Sequence, residues 1–210
     1  MKSSKRFSFL ALLLMTFAFA PAVFAQENEI ALLIGRMKPS DRSLSLNPAP
    51  AINATFDGAL TYQFNYANRV VNGEVASLYL DLAVTGVPRT GVRSDNFLLP
   101  RTYSSLIFTP GLKLKVFPKG GFSPYIVGGA GLGRFSLSDT NIGGGTVPGD
   151  GSNTSFVFTY GGGVDLNILG PLSVRGEVRD YMTGTPNFGA PFLNDRQHNL
   201  FIGAGIVLRF

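Results

Sequence analysis

The strongest constraint in this sequence is a two-residue alternation, repeated along the chain in segments of about ten residues. In residues 58–66, Leu60, Tyr62, Phe64 and Tyr66 fall on one face and Ala59, Thr61, Gln63 and Asn65 on the other. In residues 199–210, Leu200, Ile202, Ala204, Ile206, Leu208 and Phe210 share a face opposite Gly203, Gly205 and Arg209. A period of two is that of a β-strand with unlike surroundings on its two sides. Six further segments, near 27–37, 73–85, 103–117, 122–138, 154–169 and 172–183, complete a set of eight predicted strands. In the fourth, Leu106, Phe108, Leu112, Leu114 and Val116 alternate with Thr109, Gly111, Lys113 and Lys115. In the sixth, Phe156, Phe158, Tyr160, Val164 and Leu166 alternate with Thr159, Gly161, Gly163, Asp165 and Asn167. In the seventh, Leu172, Val174 and Val178 alternate with Ser173, Arg175, Glu177, Arg179 and Tyr181. The first, third and fifth segments are apolar on both faces, so alternation does not set their register.

The connections alternate too. Short turns near Asn68–Asn72, Pro118–Gly121 and Gly170-Pro171 alternate with long polar stretches at about 38–57, 86–102, 139–153 and 184–197. Unstructured loops of that length are uncommon in a compact soluble domain. At every second connection they fit a transmembrane barrel with short turns on one side and long loops on the other. The expected fold is all-β: an eight-stranded antiparallel up-and-down transmembrane β-barrel, with both termini on the periplasmic side.

The N-terminus points to the same compartment. Lys2, Lys5 and Arg6 precede the apolar stretch Phe7–Ala20, which Pro21 ends, and Val23-Phe24-Ala25 offers a cleavage site. Residues 1–25 read as a cleaved secretory signal peptide and residues 26–210 as the barrel domain. The full chain carries 18 basic and 13 acidic residues, but three of the basic ones lie in that peptide, leaving a formal +2. The case for a nucleic-acid partner weakens accordingly. The remainder holds no apolar run of membrane-helix length, so it can cross a bilayer only as a closed barrel. The chain contains no Cys and one His, which excludes disulfides, thiolate or multi-histidine metal centres and a cysteine nucleophile.

On an outward-apolar barrel, Lys113, Lys115, Asp165, Arg175, Glu177, Arg179 and Arg209 project inward. Eight strands leave a lumen just wide enough for side chains, so these groups are expected to pair as a structural polar network. Tyr62, Tyr66, Tyr79, Tyr125, Phe135, Phe156 and Tyr160 are candidates for the aromatic belts at the membrane interfaces. Gly128, Gly129, Gly131 and Gly133, with Gly161–Gly163, would relieve crowding beside long side chains. Pro110, inside the fourth strand, cannot donate to the ladder and predicts a local bulge.

The stretches Phe108–Leu114, Ser123–Gly131, Tyr160–Asp165, Leu172–Arg179 and Gly203–Phe210, taken in order, resemble the small outer-membrane β-barrels related to the barrel of outer-membrane protein A. The resemblance covers the whole chain after the signal peptide. It implies a Gram-negative-type outer membrane, with lipid and lipopolysaccharide around the barrel. It also implies that Phe210, ending an alternating strand, is the signal offered to the barrel-assembly machinery. The chain ends with the barrel, so no wall-tethering role is expected. A closed barrel has no free edge, which points to a monomer.

No motif points to catalysis or a cofactor. Gly129-Ala130-Gly131-Leu132-Gly133 lacks dinucleotide-loop spacing and a Walker lysine. Residues 143–151 hold one acid, Asp150, and read as a flexible loop rather than a calcium repeat. Some eight-stranded barrels modify lipid A, but Leu200 stands where their His-x-Ser pattern would place Ser after His198. His198 therefore reads as a polar rim residue. The expected function is a non-enzymatic surface barrel whose loops make contact or adhesion. A narrow channel is the alternative, and a lipid-modifying enzyme a weaker one. A soluble ligand-binding barrel would need the reverse polarity, and only in that fold should Val174→Asp and Val178→Asp be harmless.

Overall fold

The computed structural model describes residues 28–44, 52–94, 101–140, 142–146, 152–184 and 196–210. The predicted signal peptide lies outside them. They form ten strands: β1 (Asn28–Pro39), β2 (Arg42–Leu44), β3 (Ile52–Phe56), β4 (Ala59–Val71), β5 (Ala76–Ser94), β6 (Thr102–Val116), β7 (Phe122–Leu137), β8 (Ser152–Leu169), β9 (Leu172–Gly184) and β10 (Arg196–Arg209). Eight of them, β1 and β4 to β10, close into a ring in which every strand is antiparallel to both neighbours. The ring shuts where β1 meets β10, with Asn28 and Phe210 exchanging backbone hydrogen bonds of 2.9 and 3.0 Å.

The register fixes the barrel's size. Partners lead from Glu29 through Ala67, Asp81, Gly111, Gly129, Thr159, Tyr181 and Asn199 back to β1 at Pro39, ten positions beyond the start. That stagger over eight strands tilts them by about 40° and gives a backbone radius of about 8 Å. Such a lumen is filled by side chains.

The strands obey one rule of polarity, the reverse of a soluble protein's. Outward positions carry exposed Leu, Ile, Val and Phe all round the ring, such as Ile126 at 64% and Phe156 at 62% exposure. A continuous apolar wall of this kind is unfavourable in water and suits lipid. Inward side chains are mostly buried and include every charged residue of the expected network. The strands that alternation left open follow suit. In β1, Leu32 and Ile34 face out while Glu29, Ala31 and Leu33 face in; β5 turns Tyr79 and Asp81 inward, and β7 turns Tyr125 and Val127 inward.

Several expectations need correction. Tyr79, Tyr125 and Phe135 are not belt residues: they are 2%, 4% and 3% exposed and point into the lumen. Tyr62, Phe156 and Tyr160 do face outward. Pro110 makes no bulge. The β6–β7 ladder skips Thr109 and Pro110 and resumes in the same register, because the missing N–H costs a bond without adding a residue. Bulges fall instead at Arg69/Val71, Val87/Thr90 and Asn167/Leu169. Pro88 occupies the second, where the ladder asks no donor of it.

Within the stretch 86–102, expected as a loop, residues 86–94 are strand. Beyond its bulge β5 continues to Ser94 with Thr90 and Val92 inward, and β3 pairs with it through Ala54↔Ser94 and Phe56↔Val92. Long connections lie at one end of the ring, called here the loop end. The turns after β4, β6 and β8 mark the other, the turn end.

Candidate functional site

The chemistry-bearing side chains gather in two places: the lumen near the turn end, and the outer wall near the loop end. In the lumen, β1, β6, β8, β9 and β10 each aim charges inward, because these fall on the odd-numbered face whose partners are apolar outside. Glu29 is the hub. Lys113 Nζ lies 2.7 Å from its Oε2, Arg175 Nη2 donates to the same oxygen at 3.1 Å, and Lys115 Nζ reaches Oε1. Asp165 is the second acid. It accepts Arg175 Nε at 2.7 Å and Nη2 at 2.9 Å, a two-pronged contact, and Lys115 Nζ at 2.6 Å. Arg209 closes this layer 3.5 Å from Asp165.

A second layer sits above it. Arg179 lies between Glu177, at 2.9 Å, and Asp81, at 3.3 Å. Glu177 also accepts Tyr125 Oη–H at 2.6 Å and Gln63 Nε2–H at 2.6 Å. Aromatic rings line the cations. Lys113 and Lys115 stand 5.1 and 5.3 Å from the Tyr79 ring centre, and the Arg175 guanidinium 4.8 Å from that of Tyr125. This explains why both tyrosines turn inward: each offers a cation-attracting face and, for Tyr125, a donor to a buried carboxylate.

The structure brings together all seven polar residues expected inside, Lys113, Lys115, Asp165, Arg175, Glu177, Arg179 and Arg209. Glu29 and Asp81 stand outside that expected set, although they hold the network together. Each lies in a strand whose two faces are both apolar, so alternation gave no sign of its direction. The only available signal was charge balance: five inward cations against two acids left cations without partners.

On the outer wall, His198 sits half exposed on β10. Its Nδ1 is 2.5 Å from Asp180 Oδ2 on β9, and Asp180 also accepts Tyr160 Oη–H at 3.0 Å and the backbone N–H of Asn199 at 3.1 Å. The imidazole is thus held by an acid. Covalent catalysis would further need a nucleophile within hydrogen-bond reach. Among the described residues the hydrogen bond of the ring is the one to Asp180. Phe210, the expected assembly signal, is 47% exposed and ends the ring beside Asn28. No cluster of metal-ligating groups occurs among the described residues.

Solved structures share this architecture. The chain superposes on Neisserial surface protein A with a TM-score of 0.55, at 11% identity, covering 87% of this chain and 97% of that one. It superposes on OprG, an outer-membrane protein of Pseudomonas aeruginosa, with a TM-score of 0.51, at 14% identity, covering 88% and 95%. These identities speak for the fold alone. No curated protein matches the sequence. The family model for the outer membrane protein beta-barrel domain matches residues 9–210, and with its closed ring and outward apolar wall the chain belongs to that family.

Proposed function

We propose that this protein is a non-enzymatic surface barrel, with the loop end facing the medium and both termini in the periplasm. In this reading the barrel anchors four long connections for contact or adhesion, where function concentrates on such folds. The observation that carries it is the filling of the lumen. Near the turn end the charged layers are buried; toward the loop end Ile107, Val157, Tyr181 and Phe201 are at most 1% exposed. The burial of these inward side chains in both halves supports a filled lumen rather than a solute column. Outer-leaflet lipid surrounds the wall, Phe210 is read by the assembly machinery, and the closed ring acts as a monomer.

The test is conductance of the refolded protein in a planar bilayer, with folding checked by heat-dependent gel mobility. Silence from a folded barrel is the expected result. Reproducible discrete openings would overturn the reading and make Lys113, Lys115, Arg175, Glu177 and Arg179 selectivity candidates.

A further inference from the structure

At the loop end β8 outruns its neighbour β9. Over residues 152–156 it is bonded to β7, in the pairs Ser136↔Ser152 to Leu132↔Phe156. β9 joins at Val157↔Thr183 and ends at Gly184. Among the described residues nothing pairs with the other edge of these five, which spans about 17 Å. Such an edge is a template for a further strand, and proteins commonly blunt it with charges, proline or a bulge. Residues 152–156 carry no charge and include no proline, and their register with β7 is unbroken. The sequence that follows β9 is ill suited to this edge. Extending the β8–β9 register would set Pro186 opposite Thr154, and proline brings no N–H to a ladder.

The foot of the edge is shaped. Phe156 stands outward there, and the same register sets it level with Gly184, whose partner on β10 is Arg196. Because Gly184 has no side chain, a groove of ≈ 470 Å³ opens in that row, lined by Phe156, Phe158, Met182, Thr183, Gly184 and Arg196. Arg196 is exposed and makes no ion pair among the described residues. A strand laid against β8 beyond Gly184 would run between Thr154 on one side and the line of β10 on the other. Its outward side chains, every second residue, would meet the groove and the guanidinium. The groove suits a large apolar side chain. Arginine suits a carboxylate, which it can hold by two parallel bonds.

Strand addition at a sheet edge binds peptides through main-chain bonds, while pockets for alternate side chains supply selectivity. We infer that residues 152–156 are a docking edge for an extended segment of another protein. The segment adds antiparallel to β8, the more stable pairing, with a large apolar side chain over Gly184 and a carboxylate beside Arg196. This deepens the surface-contact reading proposed above and rests on it, because that reading puts the loop end in the medium.

The test uses the refolded protein in neutral detergent, with folding verified by heat-dependent mobility. The probe is a short fluorescent peptide with threonine at alternate positions and leucine, aspartate and valine on its other face. Binding is read by anisotropy. The expected result is saturable binding that N-methylation of one alternate set of peptide amides abolishes and methylation of the other set leaves unchanged, because one edge of the added strand meets β8. Arg196→Gln should weaken this binding at least fivefold, and leave unchanged that of a peptide with asparagine in place of aspartate. Gly184→Leu should fill the groove and weaken binding similarly. A Cβ built at Gly184 meets nothing nearer than 3.8 Å, so this change leaves the fold intact. Arg101→Gln, an exposed cation before β6, should change nothing. Equal loss from the two methylation patterns, equal loss with Arg101→Gln, or no binding by folded protein would overturn the site. Self-association of the barrel in place of peptide binding would give the edge to a second copy and overturn it too. Conductance is read on the same preparation. Binding by a barrel that conducts would defeat the surface-barrel reading and leave the docking edge standing; silence without binding would do the reverse.

Discussion

The two halves of the lumen solve the same problem with opposite chemistry. Near the turn end, five cations (Lys113, Lys115, Arg175, Arg179 and Arg209) interleave with four carboxylates (Glu29, Asp81, Asp165 and Glu177). Toward the loop end, Leu33, Met37, Val87, Ile107, Val157 and Phe201 pack as an apolar core, capped by Phe56, Tyr103 and Phe135 with ring centres 6.1 and 6.3 Å apart. Tyr181 marks the border. Its ring lies with the apolar set, while its hydroxyl donates to Gln63 Oε1 at 2.9 Å and sits 2.8 Å from Thr85 Oγ1. The upper half resembles the interior of a soluble protein, stabilised by packing wherever shapes fit. The lower half is stable only while every charge keeps its partner, since a lone charge there has no water to fall back on.

That asymmetry ranks the expected effects. The largest belongs to Glu29→Leu, which leaves Lys113, Lys115 and Arg175 short of their shared acid. Unpairing a buried charge costs about 3–5 kcal/mol. The double variant Glu29→Leu with Lys115→Met should recover part of the loss, because it removes an orphaned cation as well. A double variant no better than the single would mean that the layer is not held by charge balance. The chain has no Trp, so unfolding in urea is best followed by gel mobility or circular dichroism.

Phe201→Ala tests the apolar half, with an expected loss of about 3 kcal/mol. The Phe201 ring packs against Gly35 and Gly203, where a Cβ would come within 2.8 and 2.3 Å of it. Two glycines and one ring thus fill a space that three ordinary side chains could not share. Truncation empties it. If the conductance of this variant rises while it remains folded, the apolar half is what seals the lumen. Tyr181→Phe, at the border, should cost about 1–2 kcal/mol by leaving the buried Gln63 Oε1 with only the long 3.5 Å contact from Thr85 Oγ1. A negligible change would place Tyr181 wholly in the apolar half.

The same asymmetry decided what could be read in advance. A Lys or Arg alternating with Leu, as in Leu112-Lys113-Leu114-Lys115, is conspicuous, so most of the charged half and the polarity of β6, β8 and β9 are legible in sequence. The apolar half is not. Leu33 and Val87 face inward from strands that are equally apolar outside, and only pairing with neighbours selects their direction. Tyr79 and Tyr125 turn inward against expectation for a related reason. A tyrosine serves a membrane interface and a buried cation equally well, and which it meets depends on register. Strand ends were hardest: the alternation of β5 breaks at Val87/Thr90, and the bulge there turns one continuous strand into an apparent loop.

The smallest effect is the most discriminating about how the upper half is built. Ile107 is 1% exposed, and its Cγ1 would lie 3.4 Å from a Cβ at Gly133, while Val157 Cγ2 would lie at 3.0 Å. Ile107→Val removes the Cδ1 methyl beyond that contact and should cost about 1 kcal/mol, the usual value where neighbours are fixed. Barrel walls are tied on both sides by ladder hydrogen bonds, so β6 and β8 cannot close in as two helices might. If Ile107→Val costs nothing, the upper lumen is loosely filled, and sealing would have to come from the charged layers below. If the cost is near the expected value and Gly133→Ala destabilises too, by crowding Val157 at 3.0 Å and Phe135 at 3.1 Å, the space between β6, β7 and β8 is rigid. The apolar half is then packed as tightly as the charged half is paired.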